Sequence, residues 1–475
     1  MARDVDPFIW RVGVVTVLGS VMSVLDTTIV NVALEPLAGE LDATKSGISW
    51  VVTAYLLAIA AVTPVTGWAA RRLGTRRLYL ASLVLFSAGS LLCGLAWSLE
   101  SLVVARVLQG LGGGLLLPVG QMIVVRAAGR EHLGRVMGVL AVPTVLAPVF
   151  GPTLGGLLLE TVSWRAIFLI NLPIGAAAIV AALRILPRDA AATPGSAGYR
   201  LDVVGLLLAP TGLALVTFGL SESAADPALL RPAVVGPVVV GLLLVAAFTR
   251  HALHAEHPLL ELRLFSDGVY SAAALAGLVG SMVSLGGLIL MPFYFQDIRG
   301  ESALATGMLM APTAVGVVLV LRRAGVWADR WGGGHVALVG TGILAVGTVP
   351  FLWLDASSSY PLLLAGMVVR GIGVGLAGMP LTQAAMVGLR PERIPDASAQ
   401  LNVVQRVGGS LGTALFVVVL QRRLADGEGA LAYGDAFAWV LATTVLSAVP
   451  VAVLVRRERQ RRRAPVPVAP TKAVV

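Results

Sequence analysis

The chain has 475 residues, 57% of them hydrophobic and only 13% charged, with a mean hydropathy of +0.87. Soluble globular chains carry about 25% charged residues, so this composition excludes a soluble enzyme or binding module and points to repeated membrane crossing. The formal charge of +9 would suggest nucleic acid in a soluble protein. In a membrane chain the basic residues are placed against the spans first, and no nucleic-acid partner is expected.

The apolar runs are continuous rather than alternating, and about 20 apolar residues in a helix cross a hydrocarbon layer about 30 Å thick. In chain order they predict spans near 9–33, 47–69, 77–97, 101–126, 135–159, 166–187, 201–221, 232–250, 269–295, 303–324, 335–354, 360–388, 397–421 and 434–455. The expected fold class is an all-α polytopic membrane protein with fourteen spans and both termini on one side. With the N-terminus inside, twenty-six of the 35 Lys and Arg residues fall on inner loops and tails and six on outer loops. That asymmetry sets both termini in the cytoplasm. Met1–Pro7 is short and of mixed charge, so no cleavable leader is read. The single cysteine, Cys93, lies within a span and excludes an intramolecular disulfide. The tail "RRERQRRR" reads as topogenic charge or as a clamp on anionic membrane lipids.

Two phrases recur. "GWAARRLGTRR" (Gly67–Arg77) returns as "GVWADRWGGG" (Gly325–Gly334), an offset of 258, and "ARVLQGLGGGLLLP" (Ala105–Pro118) is echoed by "VRGIGVGLAGMP" (Val369–Pro380). Two repeats in one order imply two homologous halves, an arrangement of alternating-access transporters. The expected organisation is an N-terminal six-helix lobe (1–190), a linker with two extra spans (191–264), a C-terminal six-helix lobe (265–456) and a basic cytoplasmic tail (457–475).

Five motifs in order resemble the fourteen-helix drug:proton antiporter branch of the major facilitator superfamily. They are "LDTTIVNVAL" in span 1, "GWAARRLGTRR" after span 2, "RVLQGLGGG" in span 4, "GPTLGG" in span 5 and "HPLLELRLF" before span 9. The resemblance implies a major facilitator fold with two bundles around a central cavity, in a bacterial inner membrane. It implies export of small amphiphilic compounds such as drugs or antibiotics, driven by proton entry, with no cofactor beyond the gradient and a monomeric chain. Kept beside it are a proton-coupled or passive transporter of one metabolite or lipid-like anion, and a non-transporting scaffold. Paired catalytic acids, HExxH, a nucleophile elbow and a phosphate loop are not found, so no enzyme is expected.

An ionisable residue inside a span costs at least about 2.5–3.5 kcal/mol and is a functional candidate by default. Asp26 is the one carboxylate placed well inside a span, and a carboxylate shielded from water holds a proton more readily than one in water. It is the candidate proton carrier; hydrogen bonding to Thr27, Thr28 or Asn31 is the packing alternative. Arg106 cannot shed its proton and needs a partner; the resemblance implies that it modulates proton transfer. Arg370 and Arg406 have no evident intramembrane acid and are expected to face an aqueous cavity. With them Asn31, Tyr55, Gln109, Tyr294, Gln383, Asn402 and Gln405 are candidate substrate contacts, since lipophilic ligands need aromatic walls with a few polar groups. Spans 10 and 13 lack the acids of relatives that expel multivalent cations, so a neutral, weakly basic or anionic amphiphile fits better.

In "GPTLGG", Gly151, Pro152, Gly155 and Gly156 allow close helix approach and a bend; the resemblance makes this a gating helix. In the repeated loop phrase the resemblance implies a latch between an inner loop and the opposite lobe. Asp329 and Arg330 keep its acid and arginine. The first copy has Gly67, Arg71, Arg72 and Gly74, with arginine where the acid belongs. Asp396, in "PDAS", is the expected partner of Arg71 and an expected cap of span 13. "HALHAEH" spaces His251, His254 and His257 by three, but on an inner linker, and no metal site is read there.

Overall fold

The computed structural model describes residues 7–463 apart from 44, 189–201, 226–230, 257, 259, 391–392 and 428. Among the described residues the chain is helical throughout, without a strand. The helices are α1 (Pro7–Glu40), α2 (Lys45–Val62), α3 (Thr66–Leu73), α4 (Thr75–Gly94), α5 (Leu99–Thr161), α6 (Trp164–Leu169), α7 (Asn171–Ile185), α8 (Val203–Ala225) and α9 (Pro232–His254). They continue as α10 (Gly268–Ser281), α11 (Gly287–Phe293), α12 (Ala303–Trp331), α13 (Gly333–Thr348), α14 (Tyr360–Met386), α15 (Ile394–Ala425) and α16 (Leu431–Arg463). Eleven helical stretches among the described residues are long and apolar enough to cross a membrane, or twelve with α12, whose limbs Ala305–Leu321 and Arg323–Trp331 meet at 45°. Val203–Val216 of α8 is a shorter apolar helix.

Several boundaries differ from expectation. The loop expected at 127–134 is helical, so the fourth and fifth predicted spans merge into the 63-residue α5. "AAGREHLG" contains helix formers and no proline, and nothing in it stops the helix. The chain nevertheless doubles back. A straight helix would hold Arg106 and Gly151 roughly 68 Å apart at about 1.5 Å per residue, yet both face one turn of α1: Arg106 bonds Asp26, and a Cβ at Gly151 would land on Thr28. The ninth span is interrupted by π-helical turns at Met282–Gly286 and Tyr294–Ile298, a distortion frequent at functional sites. Both copies of the loop phrase end helices, α3 and α12, at glycines with positive φ, Gly74 (84°) and Gly332 (100°). Only glycine adopts this cheaply, which explains why that residue recurs.

The internal repeat reappears in the packing, in a register the sequence phrases mislead about. Gly110 rests on the Tyr55 carbonyl and Gly371 on that of Thr313; Gly112 rests on Phe86 and Gly373 on Leu344; Gly114 rests on Ile59 and Gly375 on Val317. Gly89 faces Gln109 as Gly347 faces Arg370. The structural partner of Gln109 is therefore Arg370, and Met367 stands where Arg106 does. Matching arginine to arginine in the two phrases slips the repeat by one helical turn.

Within lipid, helix association rests on close packing and polar bonds rather than hydrophobic transfer, and small residues let backbones meet. A Cβ at Gly112 would lie 2.5 Å from the Phe86 nitrogen, with only backbone to give way. Gly112→Val is therefore expected to lower the unfolding midpoint by several degrees, measured as earlier thiol labelling of the buried Cys93 on heating. An unchanged midpoint would contradict the packing.

α1, α4, α5 and α7 pack together as one bundle and α10, α13, α14 and α16 as another, with α5 against α12 and α15 against α3 across the boundary. The paired α8 and α9 lie outside, α8 against both α2 and α15. The bundles are joined at the end that carries both helix termini. There Ile9, Leu78, Val124 and Leu186 share one core with Val269, Leu381, Ile394 and Leu454. At the other end each bundle has its own core, around Ile29, Val51, Ala105 and Trp164 in the first and Leu290, Phe351, Met367 and Phe437 in the second.

Candidate functional site

α1 carries Asp26 to the middle of the first bundle, where it is 1% exposed. Three side chains converge on it. Arg106 Nη1, from α5, donates to Oδ2 at 2.5 Å; Gln109 Nε2, one turn on, donates to Oδ1 at 2.9 Å; Asn171 Nδ2, at the start of α7, donates to Oδ1 at 3.3 Å. Ser90 of α4 ties the set together by accepting from Gln109 and Asn171, each at 3.0 Å, and donating to the Phe168 carbonyl at 2.8 Å. Arg106 also donates to Gln109 Oε1 at 2.7 Å and, through Nε, to the Val51 carbonyl at 2.9 Å. Its guanidinium stacks 4.0 Å from the Tyr55 ring centre, and the Tyr55 hydroxyl donates to the Ser23 carbonyl at 3.1 Å.

Two atoms in this network lack partners: Arg106 Nη2 and Asn171 Oδ1, both buried. An unmet buried polar atom costs about 1–3 kcal/mol, so the cluster holds a spare donor and a spare acceptor beside a carboxylate. Removing either member of a buried ion pair costs about 3–5 kcal/mol, because the survivor stays charged. Thr27 and Thr28 bond back to carbonyls of their own helix instead, through Ser23, Val24 and Leu25. The carboxylate thus joins α1 to α5 and α7. Asn171 and Ser90 escaped the sequence reading. The available signal was a lone amide in "IFLINLPIG", since an amide in a span needs a polar neighbour.

A Major Facilitator Superfamily profile matches residues 16–413. The chain belongs to that superfamily. It is 39% identical over 421 residues to "Multidrug resistance protein B homolog" of Mycobacterium tuberculosis (strain ATCC 25618 / H37Rv), covering 88% of this chain and 77% of the relative. It is 32% identical over 458 residues to "Putative multidrug resistance protein MdtD" of Cronobacter sakazakii, covering 94% of each. Solved structures share its fold at 16% identity and a TM-score of 0.64: the human organic anion transporter MFSD10 (TETRAN), over 94% of this chain and 100% of that one, and the proton:xylose symporter XylE, over 94% and 95%. As a superfamily member the chain is a multi-pass membrane transporter.

The other predicted residues of this superfamily member fall in different places rather than on one wall. Asn402 Nδ2 donates to Gln121 Oε1 at 2.9 Å and Ser398 Oγ to the same oxygen at 3.1 Å, bonds that join α15 to α5 at the closed end. Gln405 donates to Thr382 at 3.4 Å within the second bundle. Tyr294 is fully buried, its hydroxyl donating to the Asp355 carbonyl at 2.7 Å. Gln383 bonds Asp329, and Arg330 is exposed. Arg406 lies on α15 within electrostatic range of Tyr55. Gly155 is buried on α5, whereas Gly156 has open space beside it. The side chains of Asn31 and Pro152 lie outside those described. The described His, Cys, Asp and Glu residues form no metal-binding group; His251 faces Asp202 at 2.7 Å and His257 is not described.

Arg71 Nη1 donates to Asp396 Oδ1 across the bundle boundary, both largely buried, while Arg72 lies over the Trp68 ring. A Cβ at Gly67 would lie 2.8 Å from the same carboxylate oxygen, so glycine makes room for the pair. Asp396 sits inside the first turn of α15, and Arg393, not Asp396, occupies the cap position. The first-turn site still places its charge at the positive helix end. Arg71→Asp is expected to cut transport severalfold, and Arg71→Asp with Asp396→Arg to recover most of it, measured as uptake into vesicles. Equal loss in single and double variants would show that the pair does not act as a latch.

Proposed function

We propose that the protein is a proton-coupled exporter of small amphiphilic compounds in a bacterial inner membrane, working by alternating access. Asp26 carries this reading: a buried carboxylate whose partners sit on neighbouring helices and include a fixed cation. A proton on Asp26 removes the countercharge of Arg106, which cannot itself deprotonate. Asn171 faces Asp26 with Nδ2; a turn of its amide brings the spare Oδ1 to accept the new O–H, and α1 is freed from α5. Deprotonation re-forms the pair. The names of the two relatives support drugs as substrates.

Fourteen spans follow if the returning limb of α5, the bent α12 and α8 each cross. The positive-inside asymmetry then turns the closed, terminus-bearing end to the cytoplasm. In this orientation the Arg71–Asp396 pair lies on the sealed, cytoplasmic side, and external protons would reach the buried Asp26 from the end where the bundles separate.

The test is dye accumulation by reconstituted vesicles under an imposed proton gradient, with a panel of lipophilic cations, neutral dyes and amphiphilic anions. Accumulation that follows the gradient supports the reading. Equilibration of one compound without response to the gradient would favour a passive transporter.

A further inference from the structure

The second bundle has at its centre what the first lacks, a cation without an acid. Arg370 holds the structural position of Gln109, the residue that in the first bundle bridges Asp26, Arg106 and Ser90. It is 8% exposed, its Nε is buried without a partner, and no described side chain or carbonyl accepts from its guanidinium. Its neighbours are the rings of Phe351 and Phe437, 5.6 and 5.3 Å from the guanidinium carbon. From the helix that opens the bundle comes Gly287, where a Cβ would lie 2.6 Å from Nη2. In the first bundle the opening helix brings a carboxylate to the corresponding place.

A guanidinium stays charged at any physiological pH, and aromatic faces compensate a desolvated cation only in part. The missing charge has to come from outside the chain. Arg370 lies ten residues into α14, about 15 Å from the Tyr360 end at 1.5 Å per residue, and that is the end where the bundles separate. We propose that Arg370 binds a monovalent anion entering from the open side, either the acidic group of an amphiphilic substrate or chloride. The substrate source deepens the export reading and rests on it; the chloride source does not.

Cys93, the one cysteine, is buried and supplies a thiol-labelling readout of unfolding. The full chain in lipid nanodiscs, in a sulfate background, is heated with chloride, with 2-naphthoate, or with neutral 2-naphthamide. A ligand well above its dissociation constant raises the midpoint by several degrees. The expected result is a rise in the parent with chloride or naphthoate but not naphthamide, lost in Arg370→Gln. Gly287→Asp supplies the acid internally; it is expected to raise the midpoint without added anion and to abolish the response. A rise with chloride alone assigns the inorganic anion, and one with naphthoate assigns the substrate headgroup. No response to either anion, or an undiminished response in Gly287→Asp, overturns the proposal. Because no transport is measured, failure of proton coupling leaves this result standing, and the converse holds.

Discussion

Asp26→Asn is expected to abolish uphill export while leaving downhill exchange of substrate. The amide resembles a permanently protonated carboxyl: it keeps one acceptor oxygen, enough for Arg106 or for Gln109, but cannot release a proton. The parent should lose activity when the gradient is collapsed and should change rate with external pH. The variant should equilibrate substrate at a rate independent of both. Substrate counterflow in proteoliposomes, at matched pH on both sides and then across a gradient, separates the two components. Gradient-driven accumulation by Asp26→Asn would place the coupling proton elsewhere.

Arg106→Gln carries the second large effect, here on stability as well as transport. It strands a fully buried carboxylate, at a cost of about 3–5 kcal/mol, and removes the bond that holds Val51. Asp26→Asn strands the guanidinium at similar cost. The double variant strands neither charge, so the two losses are expected not to add. Heating each variant with Cys93 labelling closes the cycle: coupling of about 1 kcal/mol or more is expected for residues in direct contact within one network. Additive losses would mean that the pair does not act as a unit. Uphill export should be absent from the double variant whatever its stability, since the carboxylate that would carry the coupling proton is gone.

The helices and their repeat were legible because hydropathy and glycine spacing report on lipid and on close backbone contact. The same signals were blind to two things. A loop made of helix-forming residues gives no stop, so α5 ran through 127–134. Two phrases with an arginine each aligned on charge, whereas backbone contacts align Gln109 with Arg370. Asp26 and Arg106 stood out because charges in a span are costly. Ser90 and Asn171 did not, because their role comes from helices distant in sequence. The scatter of Tyr294, Gln383 and Asn402 over three regions has the same cause: residue type marks a polar position without saying which neighbour it serves. Arg71 facing Asp396 is the exception, a pair 325 positions apart suggested by one acid missing from a repeated phrase.

The most direct test is proton release on binding. Purified protein in weakly buffered solution near neutral pH is mixed with a substrate from the dye panel while pH is followed, in the parent and in Asp26→Asn. If substrate and proton compete through the Asp26 network, linkage requires binding to release protons. The parent should release a fraction that rises as starting pH falls, and Asp26→Asn should release none while still binding. Binding by the parent without proton release at any pH, or equal release by both proteins, would contradict coupling through Asp26.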